Sequence, residues 1–93
     1  MLSLETTLTI PKDILFSKVD EEMVLLNLID GKYFSLDDVG TRMWVLITEH
    51  KQLKAVYQAL LEEYQVAPQK LEHDLLALTD QLVSKKLLQV NES

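Results

Sequence analysis

The chain has 93 residues, enough for one domain and hardly for two. Its 15 acidic residues against 9 basic ones give a net charge of −6, which weighs against nucleic-acid binding because phosphate neutralisation supplies most of that affinity. The absence of cysteine excludes a disulfide scaffold and thiolate metal sites, and it permits a reducing compartment.

The N-terminal run, MLSLETTLTIPKD, does not have the pattern of a signal peptide. It lacks a basic segment and a long apolar segment. The longest apolar runs, such as residues 23–26, are far shorter than the roughly 20 residues that a membrane span needs. We therefore expect a soluble cytoplasmic protein with no membrane contact.

The first third of the chain predicts β-strands. Residues 7–10 alternate polar and apolar side chains and are followed by Pro11, and residues 14–19 form a second β-rich run. A third run, residues 23–29, is more apolar on both sides. We expect one short N-terminal strand and then the first two strands of a sheet.

The dipeptide Asp30-Gly31 predicts a tight hairpin turn after the third run. Asp-Gly between two β-rich runs is the strongest short-range hairpin signal, because a type I′ turn needs positive φ at both central residues. Side chains of the returning strand, residues 32–36, alternate between two faces. We place Phe34 and Leu36 towards the core and Tyr33 away from it.

The first of three predicted helices begins at Asp37 or Asp38. Either carboxylate can accept hydrogen bonds from the free N–H groups and favours the positive end of the helix dipole. Gly40 in the first turn lowers helix propensity, which indicates that the helix comes close to the preceding strand.

The second and third helices are predicted from their apolar stripes. The second spans about residues 53–64, and the third begins at Pro68, which suits a first helical turn because its missing N–H is not needed there. The third helix ends near Lys85-Lys86, where cations suit the negative end of the dipole. A short extended piece is expected at residues 87–90.

The order of strands before helices predicts an α+β fold. The strands lie at about residues 14–36 and the helices at about residues 38–86, within a single domain of residues 1–93. Short helices beside a hairpin are typical of a winged-helix-like domain, here a three-stranded antiparallel sheet followed by three helices.

No group of residues predicts catalysis, a cofactor or a metal. His50 and His73 are the only histidines, and neither has a second ligand at metal-binding spacing. The acid pairs at residues 21–22, 37–38 and 62–63 lie at a turn, a helix start and a helix exterior, where solvation and capping explain them. We expect a protein that is not an enzyme, uses no cofactor and holds no metal.

The predicted strand at residues 32–36 has one unpaired edge unless another element covers it. Such an edge serves β-augmentation when an extended peptide adds a strand, with main-chain hydrogen bonds supplying the affinity. The alternative is that the tail, a helix or a second copy of the chain covers the edge. The sequence pattern does not decide between an edge that is open to a peptide and an edge that another element covers. The environment of Tyr33 in the folded protein distinguishes the two.

The run DGKYFSLDDVGTRMW, residues 30–44, resembles the hairpin-to-helix junction of PqqD-like proteins, the recognition elements for ribosomally made, modified peptides. It is particularly similar to the stand-alone members that serve lasso-peptide biosynthesis. In those, an aromatic strand leads through a polar pair and a glycine to an Ile/Met-Trp on the first helix. The matching residues are Tyr33-Phe34, Leu36-Asp37, Gly40 and Met43-Trp44, and the resemblance covers about residues 14–88.

The resemblance implies a winged-helix-like domain without catalysis. It implies binding of the leader segment of a precursor peptide, which adds antiparallel to the third strand of the sheet and lies against the third helix. It also implies delivery to a separate maturation enzyme, in lasso systems a cysteine-type leader peptidase. Carried over by position, the binding residues are Lys32, Tyr33, Phe34, Ser35, Leu36, Leu71, Asp74, Leu75 and Leu78.

Two further alternatives remain. A winged-helix DNA-binding regulator shares the fold outline, but its recognition helix is expected to be basic, and the third helix here carries as many acidic residues as lysines. A homodimer through the edge strand is compatible with leader binding. The N-terminal run, residues 1–10, extends beyond the shortest family members and is expected to pair with the sheet or cover an edge.

Overall fold

The structure, a computed structural model, describes residues 2–91. The predicted α+β class is confirmed, with a three-stranded antiparallel sheet preceding three helices. Among these residues, no helix is long and apolar enough to cross a membrane. In chain order the elements are β1 (Thr7–Thr9), β2 (Ile14–Val19), β3 (Glu22–Asn27), β4 (Tyr33–Leu36), α1 (Asp38–His50), α2 (Leu53–Glu63), α3 (Pro68–Ser84) and β5 (Gln89–Asn91).

The main sheet has the order β2-β3-β4, and its register separates a core face from an outer face. Leu25 of β3 lies opposite Phe16 of β2 and Phe34 of β4, and these three side chains share the face that packs on the helices. Tyr33 lies opposite Leu26 on the outer face. The predicted placement of Phe34 towards the core and Tyr33 away from it is therefore confirmed.

The predicted two-residue type I′ turn at Asp30-Gly31 is wrong. The hairpin closes where the Asn27 N–H donates to the Lys32 carbonyl at 2.9 Å, which leaves a four-residue loop, residues 28–31. Only Gly31 in this loop has positive φ, at 73°. The side chains of Asn27 and Asp30 each accept a backbone N–H two residues on, so Asx turns build a longer loop than the dipeptide signal indicates.

Helix α1 begins as predicted and is held tightly against β4. The Asp37 side chain caps the helix by accepting the Gly40 N–H at 2.8 Å. A Cβ on Gly40 would lie 3.4 Å from two Leu36 carbon atoms and 3.2 Å from an Asp37 oxygen, so glycine permits the close approach of helix and strand. Trp44 is fully buried on the same helix and meets Phe16 edge-on, with ring centroids 5.4 Å apart.

An exposed ion pair joins α1 to α2. The Arg42 guanidinium donates two hydrogen bonds to the Glu63 carboxylate, at 2.7 and 2.9 Å. These bonds lower the pKa of Glu63 and raise that of Arg42. The bidentate geometry fixes the second helix on the first, and a leucine-rich core fills the space between the helices and the sheet.

The N-terminal run pairs with neither edge of the main sheet, so the expectation for residues 1–10 is wrong over the part that the structure describes. Strand β1 forms a separate two-stranded sheet with β5. The Leu8 N–H also donates to the Lys51 carbonyl at 2.7 Å, and the Leu8 side chain is fully buried. Burial of this one leucine at the α1–α2 junction directs the run away from β4.

Candidate functional site

One long edge of β4 is free in the part of the chain that the structure describes. Bonded and non-bonded residue pairs alternate along an antiparallel ladder. Since the Asn27 N–H bonds the Lys32 carbonyl, the next bonded pair is Leu25 with Phe34. The main-chain N–H and C=O groups of Tyr33 and Ser35 therefore point away from β3 and towards the open edge.

A buried hydroxyl completes the far end of the same ladder. The Met23 N–H donates to Thr41 Oγ1 at 2.8 Å, and that hydroxyl donates to the Leu36 carbonyl at 3.2 Å. Met23 and Leu36 are opposite one another in the register, so the hydroxyl bridges the pair that a direct hydrogen bond would otherwise join. Helix α1 thereby fixes the end of β4.

The side chains of β4 divide between the core and solvent. Leu36 is buried, Phe34 is half-buried against the core, and Ser35 is exposed. Tyr33 leaves 73% of its surface in solvent, so no described element covers it. The strand is anchored by its inner side chains, while its outer edge and outer face are accessible.

A cavity of about 330 Å³ lies between the start of β4 and the end of α3. Lys85 crosses it, with its ammonium group 5.5 Å from the centre of the Phe34 ring, within cation–π range. The residues that line this cavity are Asn27, Asp30, Lys32, Tyr33, Phe34, Ser84, Lys85, Lys86 and Leu87.

The end of α3 forms this side of the cavity through a Schellman motif. The Leu87 N–H bonds the Leu82 carbonyl at 2.9 Å, and the Lys86 N–H bonds the Val83 carbonyl at 3.0 Å. Lys86 occupies the left-handed position of the motif, with φ of 62°. Both Leu82 and Leu87 are buried, which anchors the segment that carries the two lysines at the cavity.

The site residues carried over to α3 fall into two groups in the structure. Leu71 and Leu75 are buried in the core, whereas Leu78 is half-buried and Asp74 is exposed. Asp74 accepts a hydrogen bond from Lys70 at 3.1 Å. None of the four lines the cavity beside β4, which is bounded instead by the last turn of the helix and the residues after it.

Sequence reasoning assigned no binding role to Asn27 or to residues 84–87. The one signal in the sequence is the Lys85-Lys86 pair, which by itself indicates only cations that suit the negative end of the helix dipole. The contribution of Asn27 depends on the loop that follows it, because its amide oxygen accepts the Ile29 N–H at 2.9 Å. A loop of that length could not be read from the Asp-Gly pair.

The described residues hold no constellation for metal-dependent chemistry. No group of three or more histidine, aspartate or glutamate side chains within residues 2–91 is placed to hold an ion. His50 and His73 are both exposed, on different helices. What this region offers chemically is a row of main-chain hydrogen-bonding groups next to an aromatic ring and a cluster of cations.

Comparisons with known proteins show similarity to one family and to two solved structures. The family described as coenzyme PQQ synthesis protein D (PqqD) matches residues 22–88. The solved structure of TbiB1 in complex with the TbiA(beta) leader peptide is 36% identical, with a TM-score of 0.83, over 90% of this chain and 98% of that chain. A lasso peptide synthetase B1 complexed with the leader peptide is 25% identical, with a TM-score of 0.71, over 89% of this chain and 98% of that one. A search of curated proteins gives no match.

Proposed function

Because this chain belongs to the PqqD family, we propose that it binds the leader segment of a ribosomally made precursor peptide and catalyses no reaction itself. Two structural relatives that share its fold are complexes with leader peptides. The observation that carries the proposal is the free edge of β4, where the main-chain groups of Tyr33 and Ser35 point outward beside a cavity. An extended peptide satisfies those groups by adding a fourth strand.

The leader segment pairs antiparallel with β4. Four residues of strand span about 13 Å, so the ladder takes up about four to six residues of the peptide. Alternate peptide side chains then point into the space between Phe34 and the end of α3, and the others lie next to Tyr33. Lys32 and Leu36 flank the ladder at its two ends.

The part of α3 before its last turn contributes to the site in two ways. Leu78 and Asp74 are the accessible members of the set carried over from the family, and we assign them contacts with the N-terminal end of the leader segment. Leu71 and Leu75 hold the helix against the core, because their side chains are buried. The helix is thereby a fixed wall facing a flexible peptide.

The bound precursor is passed to a separate maturation enzyme, a leader peptidase in the lasso-peptide case. This chain has no constellation for peptide hydrolysis among its described residues, so the bond-breaking step requires a partner. We place recognition in the cytoplasm, where ribosomes release the precursor. The DNA-binding alternative gains no support, because both relatives are peptide complexes and this chain is acidic overall.

The experiment is a titration with fluorescently labelled TbiA(beta) leader peptide, followed by anisotropy, together with selection from a displayed library of random linear peptides of about 20 residues. We expect saturable binding of the leader or of library members, and none of a scrambled leader. A folded protein that binds neither probe would contradict the proposal. Far-ultraviolet circular dichroism on the same sample establishes that it is folded.

A further inference from the structure

Three lysines converge on one end of the β4 groove. Lys32 precedes the strand, and Lys85 and Lys86 follow α3, yet all three line the same cavity. We call these residues the lysine cluster. None of them forms an ion pair within residues 2–91, and Asp30 is the one acidic residue lining the cavity. A third of the nine basic residues of an acidic chain are therefore concentrated at this point.

The backbone of Lys86 has the left-handed conformation that closes the Schellman motif, with φ of 62°. The left-handed position of a Schellman motif favours glycine, because a Cβ there is sterically strained. Asp20 and Lys51 have nearly the same conformation outside this cavity, so what distinguishes Lys86 is its position at the cavity wall.

The position of Lys85 shows on which side of the cavity the positive charge lies. Its ammonium group lies over the Phe34 ring, and Phe34 is on the core face of β4. A peptide side chain that points inward from an added strand reaches the same space. The cationic group is thus available to an inward-pointing anionic side chain in the groove.

We propose that the lysine cluster binds a carboxylate side chain of the leader, located on the C-terminal side of the segment that pairs with β4. This inference rests on the proposed function, because it uses the antiparallel direction of the bound peptide. In that direction the peptide runs from Leu36 towards Lys32, so its C-terminal end reaches the lysine cluster. The leader is thereby selected by charge at one end and by main-chain pairing along its length.

A single carboxylate fits the site better than a polyanion does. The lysines outnumber the acidic group by two within the cavity, while the chain as a whole carries −6. A nucleic acid or a phosphate-rich surface would meet repulsion beyond the cluster, because charges still interact over about 10 Å at 0.1 M salt. One aspartate or glutamate needs only the local charges.

The test is selection of a displayed random-peptide library on three proteins. These are wild type, the double variant Lys85→Gln/Lys86→Gln and the control Lys54→Gln, which removes a charge from an exposed position on α2. We expect wild type and the control to enrich Asp or Glu at one fixed position, C-terminal to the apolar pairing segment. We expect the double variant to lose that enrichment while it still selects the apolar segment.

A selected peptide is then resynthesised with an amidated C-terminus, so that the side chain is the only carboxylate tested. Replacing its Asp or Glu by Asn or Gln should weaken binding to wild type by about two- to fivefold, and binding to the double variant much less. Equal weakening for both proteins, or selection without acidic enrichment, would overturn the carboxylate inference and leave leader binding intact. No selection of any peptide would contradict the proposed function instead.

Discussion

In the proposed site, Lys86 combines a binding role with a backbone conformation that lowers stability. Its φ of 62° is the conformation that ends α3, and an L side chain in the left-handed region is strained by about 1 kcal/mol or more. Lys51 ends α1 in nearly the same conformation, with φ of 61°, but lies outside the cavity beside β4. Comparing variants of the two lysines therefore separates the effect of backbone strain on stability from the effect of the side chain on binding.

We predict that Lys86→Gly raises the free energy of unfolding by about 0.5 to 1 kcal/mol. Glycine relieves the backbone strain, but it also increases the conformational entropy of the unfolded chain, which offsets part of the stabilisation. Urea denaturation gives this value. The same variant should bind the leader peptide more weakly. Lys51→Gly should stabilise by a similar amount and leave binding unchanged, and equal binding by both variants would contradict the role of Lys86.

Thr41 is the second residue whose role is clear only in three dimensions. We predict that Thr41→Val lowers the free energy of unfolding by about 1 to 3 kcal/mol, because the Met23 N–H and the Leu36 carbonyl lose their buried partner. Urea denaturation measures the change. The control is Thr48→Val, whose hydroxyl donates only to the Val45 carbonyl one turn earlier in the same helix. Equal costs for the two variants would show that the bridge contributes nothing special.

Sequence reasoning worked at single residues where the local geometry has one solution. Alternation along a strand placed Phe34 inward and Tyr33 outward, and the cap expected at Asp37 or Asp38 is found at Asp37. The prediction of a two-residue turn at Asp30-Gly31 is wrong because two side-chain acceptors, Asn27 and Asp30, stabilise a longer loop than the dipeptide indicates. A hydrogen bond from a backbone N–H to a side chain, unlike the bonds of a helix or strand, leaves no periodic pattern in the sequence. Such a bond therefore cannot be predicted from periodicity.

At the scale of elements, β4 is the part on which the proposed function depends. Its ladder to β3 uses the main chain of Phe34, and its open edge presents the main chain of Tyr33 and Ser35. Proline therefore has different effects at adjacent positions of one strand. At Phe34 it would break a bond within the sheet, and at Ser35 it removes a donor that only an added peptide uses.

We predict that Ser35→Pro weakens leader binding by about tenfold or more while the protein stays folded, because one of the few main-chain donors on the open edge is lost. Anisotropy titration measures binding, and circular dichroism measures folding. The control is Lys18→Pro in β2, whose N–H faces the opposite edge of the sheet by the same alternation. Wild-type affinity in a folded Ser35→Pro protein would rule out pairing along this edge.

Helix α3 marks the limit of what periodicity can predict. Its leucine stripe was recognised, but the stripe alone does not determine which leucines face the core and which face a groove. Packing on α2 buries Leu71 and Leu75 and leaves Leu78 half-buried. The cavity beside β4 is bounded by the last turn of the helix and by the two adjacent lysines that follow it.

At the scale of the whole molecule, the two small sheets have separate tasks. Strands β1 and β5 bring the chain ends together and close over the helix junction, where Leu8 is buried. In this arrangement the N-terminal run pairs with β5 and leaves the edge of β4 uncovered. The order of strands and helices was predictable because each element has its own period, whereas the pairing of residues 7–9 with residues 89–91 depends on a contact across the length of the chain.

The free edge of β4 and the negative net charge both bear on whether the protein forms a homodimer. Homodimerisation through β4 and leader binding use the same main-chain groups, so the two are mutually exclusive at one edge. A dimer formed in this way should dissociate when the peptide saturates it, and light scattering follows the change in mass. An acidic chain of charge −6 also repels its own copies at low salt, which favours the peptide-bound monomer.

Amide hydrogen exchange, resolved by residue with NMR, measures the added strand most directly. It is recorded for the free protein and for the protein saturated with the TbiA(beta) leader or a library-selected peptide. The amides of Tyr33 and Ser35 should exchange at least about tenfold more slowly in the complex, while Phe16 and Lys18 on the opposite edge stay unchanged. Saturable binding with unchanged exchange at Tyr33 and Ser35 would contradict recognition by strand addition to β4.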